Sequence, residues 1–472
     1  MNIFKKKSLC AALAGIGALG AAGAAQAVNL SQDGLGQVLI YPYYTTRANA
    51  AGNVYNSLLS VVNTTGSVKS VKVRFLEGKN SREVLDFNLF LSPKDVWTAA
   101  IVPSGAGGAM IKTTDQSCTL PAIPAAGKAF VNFAYASDGA GSSLDRTQEG
   151  YVEIIEMATY TSSSTTAANV THVNGVPPGC AAETDALASS EAQAPGGGLM
   201  GGMTLVNVNS GTDYTADAVA LANYSTVKLY ANSGSTLPDL QEAFPPISTV
   251  PFNGSVYSSA WAGANADPVS AVLMHNQVMN EFVLDSITNS GTDWVVTMPT
   301  KRFYVANGTG TPAKLFQRNF NATAGACDDV SLNIYDREED TTSTPLNFSP
   351  PPPTQTNSIC WEANVITFNN SNVLGSTNVA NIPTGFQDGW LDLGFFPGTV
   401  TAPIHELINV GNTSITSIGG TTTTGNTSTY VGLPVVGFAV QSFTNGAILV
   451  NGAPVLSNYG GNFVQKGTHL IQ

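Results

Sequence analysis

The chain has 472 residues, of which only 11% are charged, against roughly a quarter in an ordinary globular protein. A hydrophobic share of 43% excludes a disordered chain, and a formal charge of −12 without a basic patch excludes a nucleic-acid binder. What these numbers describe is a large core under a neutral surface rich in Gly, Ser, Thr and Asn.

Residues 1–27 read as a signal peptide. Lys5, Lys6 and Lys7 form a basic start, an apolar stretch runs from Leu9, and Ala25-Gln26-Ala27 gives the small-x-small pattern of a cleavage site before Val28. The stretch is too short and too rich in Ala and Gly for a first transmembrane helix, and Cys10 stands before the apolar run, where a lipidated cysteine would close it. No later stretch reaches the roughly 18 consecutive apolar residues that a spanning helix needs. Of the 20 Lys and Arg, three sit in this leader, so the exported chain is markedly acidic against 32 Asp and Glu.

Alternation of apolar and polar residues then dominates. Val71, Val73 and Phe75 alternate with Lys72 and Arg74, and Leu85, Phe87, Leu89 and Leu91 with Asp86 and Asn88. This is the pattern of strands with one buried face. With turns at Asn63–Gly66, Gly78–Asn80 and Ser92–Asp95, four antiparallel strands are expected at Leu58–Val62, Val71–Leu76, Val84–Leu91 and Val96–Val102. Further strands are expected at Ala129–Ala136 and Tyr151–Tyr160, then a loop over 161–179 and one short helix over Ala181–Ala194. Gly196-Gly197-Gly198 is the best candidate for a domain boundary, a Gly-rich loop within one domain being the alternative, with strands Thr204–Val208 and Val219–Tyr224 beyond it.

Asp267 and Pro268 suit the start of a helix, which is expected over Pro268–Met279. Strands follow at Glu281–Asp285, Asp293–Met298 and Arg302–Ala306. The Thr/Ser/Pro-rich segment 341–357 reads as an extended loop or linker. Strands at Ala363–Phe368, Gly389–Phe396 and Val435–Phe443 come after it, and Phe438–Val450 reads as a hairpin turning at Asn445-Gly446.

The expected fold is therefore mainly β: two or three antiparallel β-sandwich or jelly-roll-like domains with one or two short helices. Residues 28–195 would form an N-terminal sandwich. Residues 196–340 would form a second β-rich domain with a short helix near 268–279, and 358–472 would supply strands that complete it. Without Cys10, four cysteines remain, Cys118, Cys180, Cys327 and Cys360, none in a Cys-x-x-Cys pair. Two structural disulfides in an oxidising compartment follow. Three pairings are open, and the sequence-local one, Cys118–Cys180 with Cys327–Cys360, is the expected choice.

Motifs for chemistry are missing. His405-Glu406 begins a His-Glu-x-x-His zinc motif, but Asn409 stands where the second histidine belongs. There is no Gly-x-Ser-x-Gly elbow and no phosphate-binding loop. The chain is therefore not expected to be an enzyme, and no cofactor is implied unless calcium. The densest charge, Asp336, Glu338, Glu339 and Asp340 around Arg337, offers oxygen ligands suited to Ca²⁺, although a solvated turn explains the same residues. Five tryptophans (Trp97, Trp261, Trp294, Trp361 and Trp390) could pack in the core or stack on sugar rings. Asn-x-Ser/Thr sequons recur from Asn63 to Asn426 and would carry sugar only in a host that glycosylates.

Four phrases resemble a group of uncharacterised exported proteobacterial proteins labelled cell-surface proteins: Gly36–Tyr44 (GQVLIYPYY), Glu83–Phe87 (EVLDF), Asp293–Val305 (DWVVTMPTKRFYV) and Gly437–Phe443 (GFAVQSF). The resemblance implies an extracellular, cell-surface location and carries no catalytic residues with it. Together with the composition, it leads to the expectation of a secreted structural protein. Such a protein would be a self-assembling subunit of a surface layer, sheath or filament, with itself as partner. The alternative is an adhesin or carbohydrate-binding module that binds cell-surface polysaccharide.

Overall fold

Strands with one buried face must find a second apolar layer, and the chain supplies several. A computed structural model describes residues 26–472 apart from 263–264, 306–314, 322, 342–356, 397–404, 446–448 and 455–456. Most of the expected signal peptide and linker, and Gly446, lie outside the described residues. The fold is mainly β, as expected, with short helices only.

The first half is a sandwich. A seven-stranded sheet runs in the order Asn29–Leu30, Val219–Ala222, Val38–Thr45, Glu149–Tyr160, Val68–Glu77, Glu83–Leu91, Thr119–Leu120. Facing it is a six-stranded sheet in the order Thr212–Asp217, Leu199–Asn207, Asn56–Asn63, Val96–Pro103, Ala109–Lys112, Lys128–Ala129. The four strands expected over 58–102 thus divide between two sheets. The alternating residues Val71, Val73 and Phe75 meet Leu59, Val61, Trp97 and Leu205 in one buried cluster.

Leu199–Asn207, Thr212–Asp217 and Val219–Ala222 pair into these N-terminal sheets, so both sheets run across the boundary expected at residue 195. The Gly-rich run there is a binding turn: Gly196 and Gly197 donate their N–H groups to the Glu156 carboxylate at 2.9 and 2.7 Å. Positive φ at Gly197 (73°) and Gly198 (82°) makes glycine the fitting residue.

In the second half, a five-stranded sheet (Val379–Ile382, Ala363–Phe368, Ser290–Thr297, Val436–Asn445, Ser457–Val464) is covered on both faces. Trp294, Val296, Ile366 and Ala439 join a core with Phe282, Ile334 and Leu391. These last residues come from a four-stranded sheet in the order Ser331–Asp336, Asp388–Gly394, Gln277–Val283, Lys466–Thr468. On the other face, Val295, Val365, Phe438 and Val440 join the N-terminal sandwich core. Burial on both faces explains why Asp293–Met298 reads as a nearly continuous apolar run. Another four-stranded sheet (Ile247–Phe252, Ser255–Ala260, Glu406–Ser417, Thr422–Val431) lies outside these layers.

Several local expectations need correction. The helix expected over Pro268–Met279 spans Asp267–Leu273, and Gln277–Val283 is a strand whose Val278 and Phe282 point into the core. Lys301–Phe303 forms a 3-10 turn where a strand was expected from Arg302. Of the strand expected over Ala129–Ala136, only Ala129 is extended, as the last residue of Lys128–Ala129. Thr165–Val170 is a helix inside the expected loop, and the helix expected over Ala181–Ala194 spans Asp185–Glu191. Asn445 is the last residue of a strand paired through Ser457 to the 457–464 strand. The small hairpin turns instead at Asn451-Gly452, both at positive φ (53° and 79°), the geometry that Asn-Gly favours.

Cys118–Cys180 and Cys327–Cys360 are the two disulfides. They fit a non-cytoplasmic environment. No helix among the described residues is long and apolar enough to cross a membrane.

Candidate functional site

Several of the sparse charges are buried, where each needs a partner. On the face of the seven-stranded sheet turned away from the sandwich core, Arg74 holds Glu83 at 2.8 Å and Glu153 at 3.0 Å. Arg302 reaches the same Glu153 at 3.0 Å from the 3-10 turn. Lys69 pairs with Glu156 at 2.5 Å, Arg146 with Glu77 and Asp138 at 2.9 and 2.8 Å, and Lys301 with Asp328 at 2.7 Å. The Lys301-Arg302 pair of the longest resembling phrase is thus a clamp between segments. In the same phrase, Thr297 Oγ1 donates to the Pro42 carbonyl at 2.7 Å, tying it to the Tyr-Pro-Tyr-Tyr phrase.

Burial shifts several carboxyls of this interior. It pushes Glu362 up to about 8, against the lowering influence of Lys301 and Arg302, and Asp293 up to about 6. Burial also raises Glu242 to about 7, with Asp239 adding to the rise. Glu362 and Asp293 are buried, whereas Glu242 is half-buried in the loop before Ile247–Phe252, where it accepts the Asp239 N–H at 2.7 Å.

His405 is buried with Nδ1 2.9 Å from the Leu315 carbonyl, and His275 stacks on His469 with ring centroids 4.9 Å apart. A serine–histidine–aspartate grouping that the sequence reading did not anticipate occurs at Ser92, His172 and Asp95. Ser92 Oγ is 2.7 Å and Asp95 Oδ2 3.6 Å from the same ring nitrogen, His172 Nδ1. A relay needs the serine and the carboxylate on opposite nitrogens. Ser92 Oγ also accepts from the His172 backbone N–H and donates to the Val170 carbonyl, both at 3.1 Å. This group pins the end of the 165–170 helix.

The acidic turn lies at the end of the Ser331–Asp336 strand. Asp336 Oδ1 accepts the backbone N–H groups of Glu338 (3.0 Å) and Asp340 (2.8 Å) and so caps its own turn. Arg337 pairs with Glu338 at 2.9 Å and with Asp388 at 3.3 Å. Glu339 and Asp340 are exposed. Asp336, Glu338, Glu339 and Asp340 are therefore not drawn together as an oxygen cage, and among the described residues no three acidic, histidine or cysteine side chains converge on a metal position.

Beside this turn the outer face of the sheet carries an aromatic pair. Tyr335 and Trp390 are direct cross-strand partners, and their rings stack at 4.4 Å and 17°. Trp97 and Trp294 are core residues, whereas Trp390 is 39% exposed.

The outlying four-stranded sheet has the opposite chemistry. Its strands (Ile247–Phe252, Ser255–Ala260, Glu406–Ser417, Thr422–Val431) contain a single charged residue, Glu406. Ile408, Val410 and Ile418 are exposed there among threonines and serines. The backbone of Thr429 and Val431 at its edge is covered by Leu470 and Gln472. Compared with models of protein families, with curated proteins and with solved structures, the chain matches none.

Proposed function

We propose that the protein is a secreted structural component of the cell surface, a subunit that self-assembles into a layer, sheath or filament. The observation that carries this reading is the sheet whose four strands hold one charged residue and expose Ile408 and Val410, with Ile418 exposed in the adjoining turn. Monomeric β proteins place lysines and glutamates on such faces and edges to repel neighbours. Here Lys69, Lys72, Arg74, Arg146 and Lys301 are buried in ion pairs, and the four strands of this sheet carry no cation. A neutral, threonine-rich face with exposed aliphatic side chains favours lateral packing between copies. The two disulfides suit the oxidising exterior in which such an assembly would have to persist. No reaction is part of this reading.

Light scattering over a concentration series tests it. The purified protein is expected to form high-mass species, and the double variant Ile408→Lys/Val410→Lys is expected to stay monomeric with an unchanged melting temperature. A wild-type protein that remains monomeric at the highest concentrations would remove the proposal. The alternative, a carbohydrate-binding surface protein, is favoured by the exposed Trp390 ring.

A further inference from the structure

Tyr335, Trp390 and Glu281 form one cross-strand row on the outer face of the sheet. Cross-strand neighbours on one face are about 5 Å apart, so two rings stacked at 4.4 Å must stand upright on the sheet. One face of the indole is then covered by Tyr335, and the other looks across to the strand of Glu281, itself exposed. Two residues along the strand on either side, Asp388 and Asp392 share the face with Trp390, and Asn333 lies opposite Asp392. Asp392 Oδ1 is buried and accepts no hydrogen bond from the protein.

We propose that this face is a binding site for an uncharged pyranose of a surface polysaccharide, with the C–H face of the sugar packed on the free face of Trp390 and its hydroxyls donating to Glu281, Asp388 and Asp392. The pyranose presents an apolar C–H face and a rim of O–H donors. The site presents a flat aromatic surface framed by acceptors, whose bonds to hydroxyls are charge-assisted. Arg337 offsets part of the charge of Asp388 and Glu338, but with Glu281, Asp392 and Glu339 the face stays net negative, which disfavours anionic polysaccharides and so selects neutral ones. The proposal rests on the carbohydrate-binding reading and does not require self-assembly, so binding and assembly can fail separately.

Affinity electrophoresis of the purified full-length protein in gels containing mannan, dextran, xylan, hydroxyethyl cellulose or alginate tests the site. At least one neutral polysaccharide is expected to retard the wild type, and alginate to leave it unretarded. Trp390→Ala should weaken retention by about tenfold or more, as loss of a stacking ring does elsewhere, while Trp390→Phe keeps most of it. Glu281→Gln and Asp392→Asn, which leave the ring in place, should each weaken it and guard against a folding defect in the tryptophan variant. Retention by none of the neutral polymers, retention by alginate alone, or retention unchanged in Trp390→Ala and in both carboxylate variants would overturn the assignment.

Discussion

Trp294 and Val295 are adjacent in the chain and belong to different cores. The indole packs against Phe368 with ring centroids 5.3 Å apart, in the cluster shared with Phe282 and Leu391. Val295 joins Phe438, Val440 and the N-terminal sandwich residues Tyr41 and Phe75. One strand therefore serves both halves, which makes the two cores a single cooperative structure. Trp294→Ala should cost about 3–5 kcal/mol and Val295→Ala less, both by shifting one common unfolding transition. Urea denaturation followed by circular dichroism and by tryptophan fluorescence should give coincident curves. A variant with two resolved transitions would contradict the shared sheet.

Arg302 joins the same halves by charge. Its guanidinium meets Glu153 at 3.0 Å, with Tyr151 Oη at 3.0 Å. Arg302→Met leaves Glu153 with Arg74 as its remaining cation, so it should destabilise, by less than the about 3–5 kcal/mol of a fully orphaned buried charge. Glu153→Gln also weakens the hold on Arg74, so the double variant should lose less than the sum of the two single losses, because Arg302 and Glu153 are coupled. Additive losses in thermal denaturation would mean that the pair is not what joins these segments.

Glu362 gives a pH dependence of definite sign. Burial raises its carboxyl from an ordinary 4.5 to about 8 in the folded chain, so between those values the native state holds a proton that the unfolded chain has released. Its contribution is fully present below about 4.5 and is lost as pH rises through 8. The melting temperature should fall across that window, and fall less in Glu362→Gln, which stays neutral. A variant with the same slope as wild type would place the pH response elsewhere.

The disulfides close loops of 62 and 33 residues, worth about 4 kcal/mol each on the chain-entropy model. Reduction should lower the melting temperature by many degrees. Peptide mapping without reductant should recover Cys118 linked to Cys180 and Cys327 linked to Cys360. Any crossed pair would contradict the fold.

Strands with one buried face were legible because alternation is local: Val71, Val73 and Phe75 declare their face without help from the rest of the chain. The 274–283 segment was not, because Asp267 and Pro268 signal a helix start while its end is set by pairing with Asp388–Gly394, more than a hundred residues away. Two Asn-Gly pairs compete in the last hairpin, and the pairing of Asn445 with Ser457 decides between them. Buried ion pairs such as Arg74–Glu153, 79 residues apart in sequence, leave no sequence signal, and neither does the exposure of one tryptophan among five. Composition announced a neutral surface, and the interior pairs of Lys69, Lys72, Arg74, Arg146 and Lys301 show where part of the positive charge lies.

Negative-stain electron microscopy of the purified protein, with Ile408→Lys/Val410→Lys beside it, tests the central claim most directly. Ordered sheets or filaments are expected for the wild type and dispersed particles for the double variant. Dispersed particles for both, at concentrations where light scattering also finds a monomer, would contradict self-assembly.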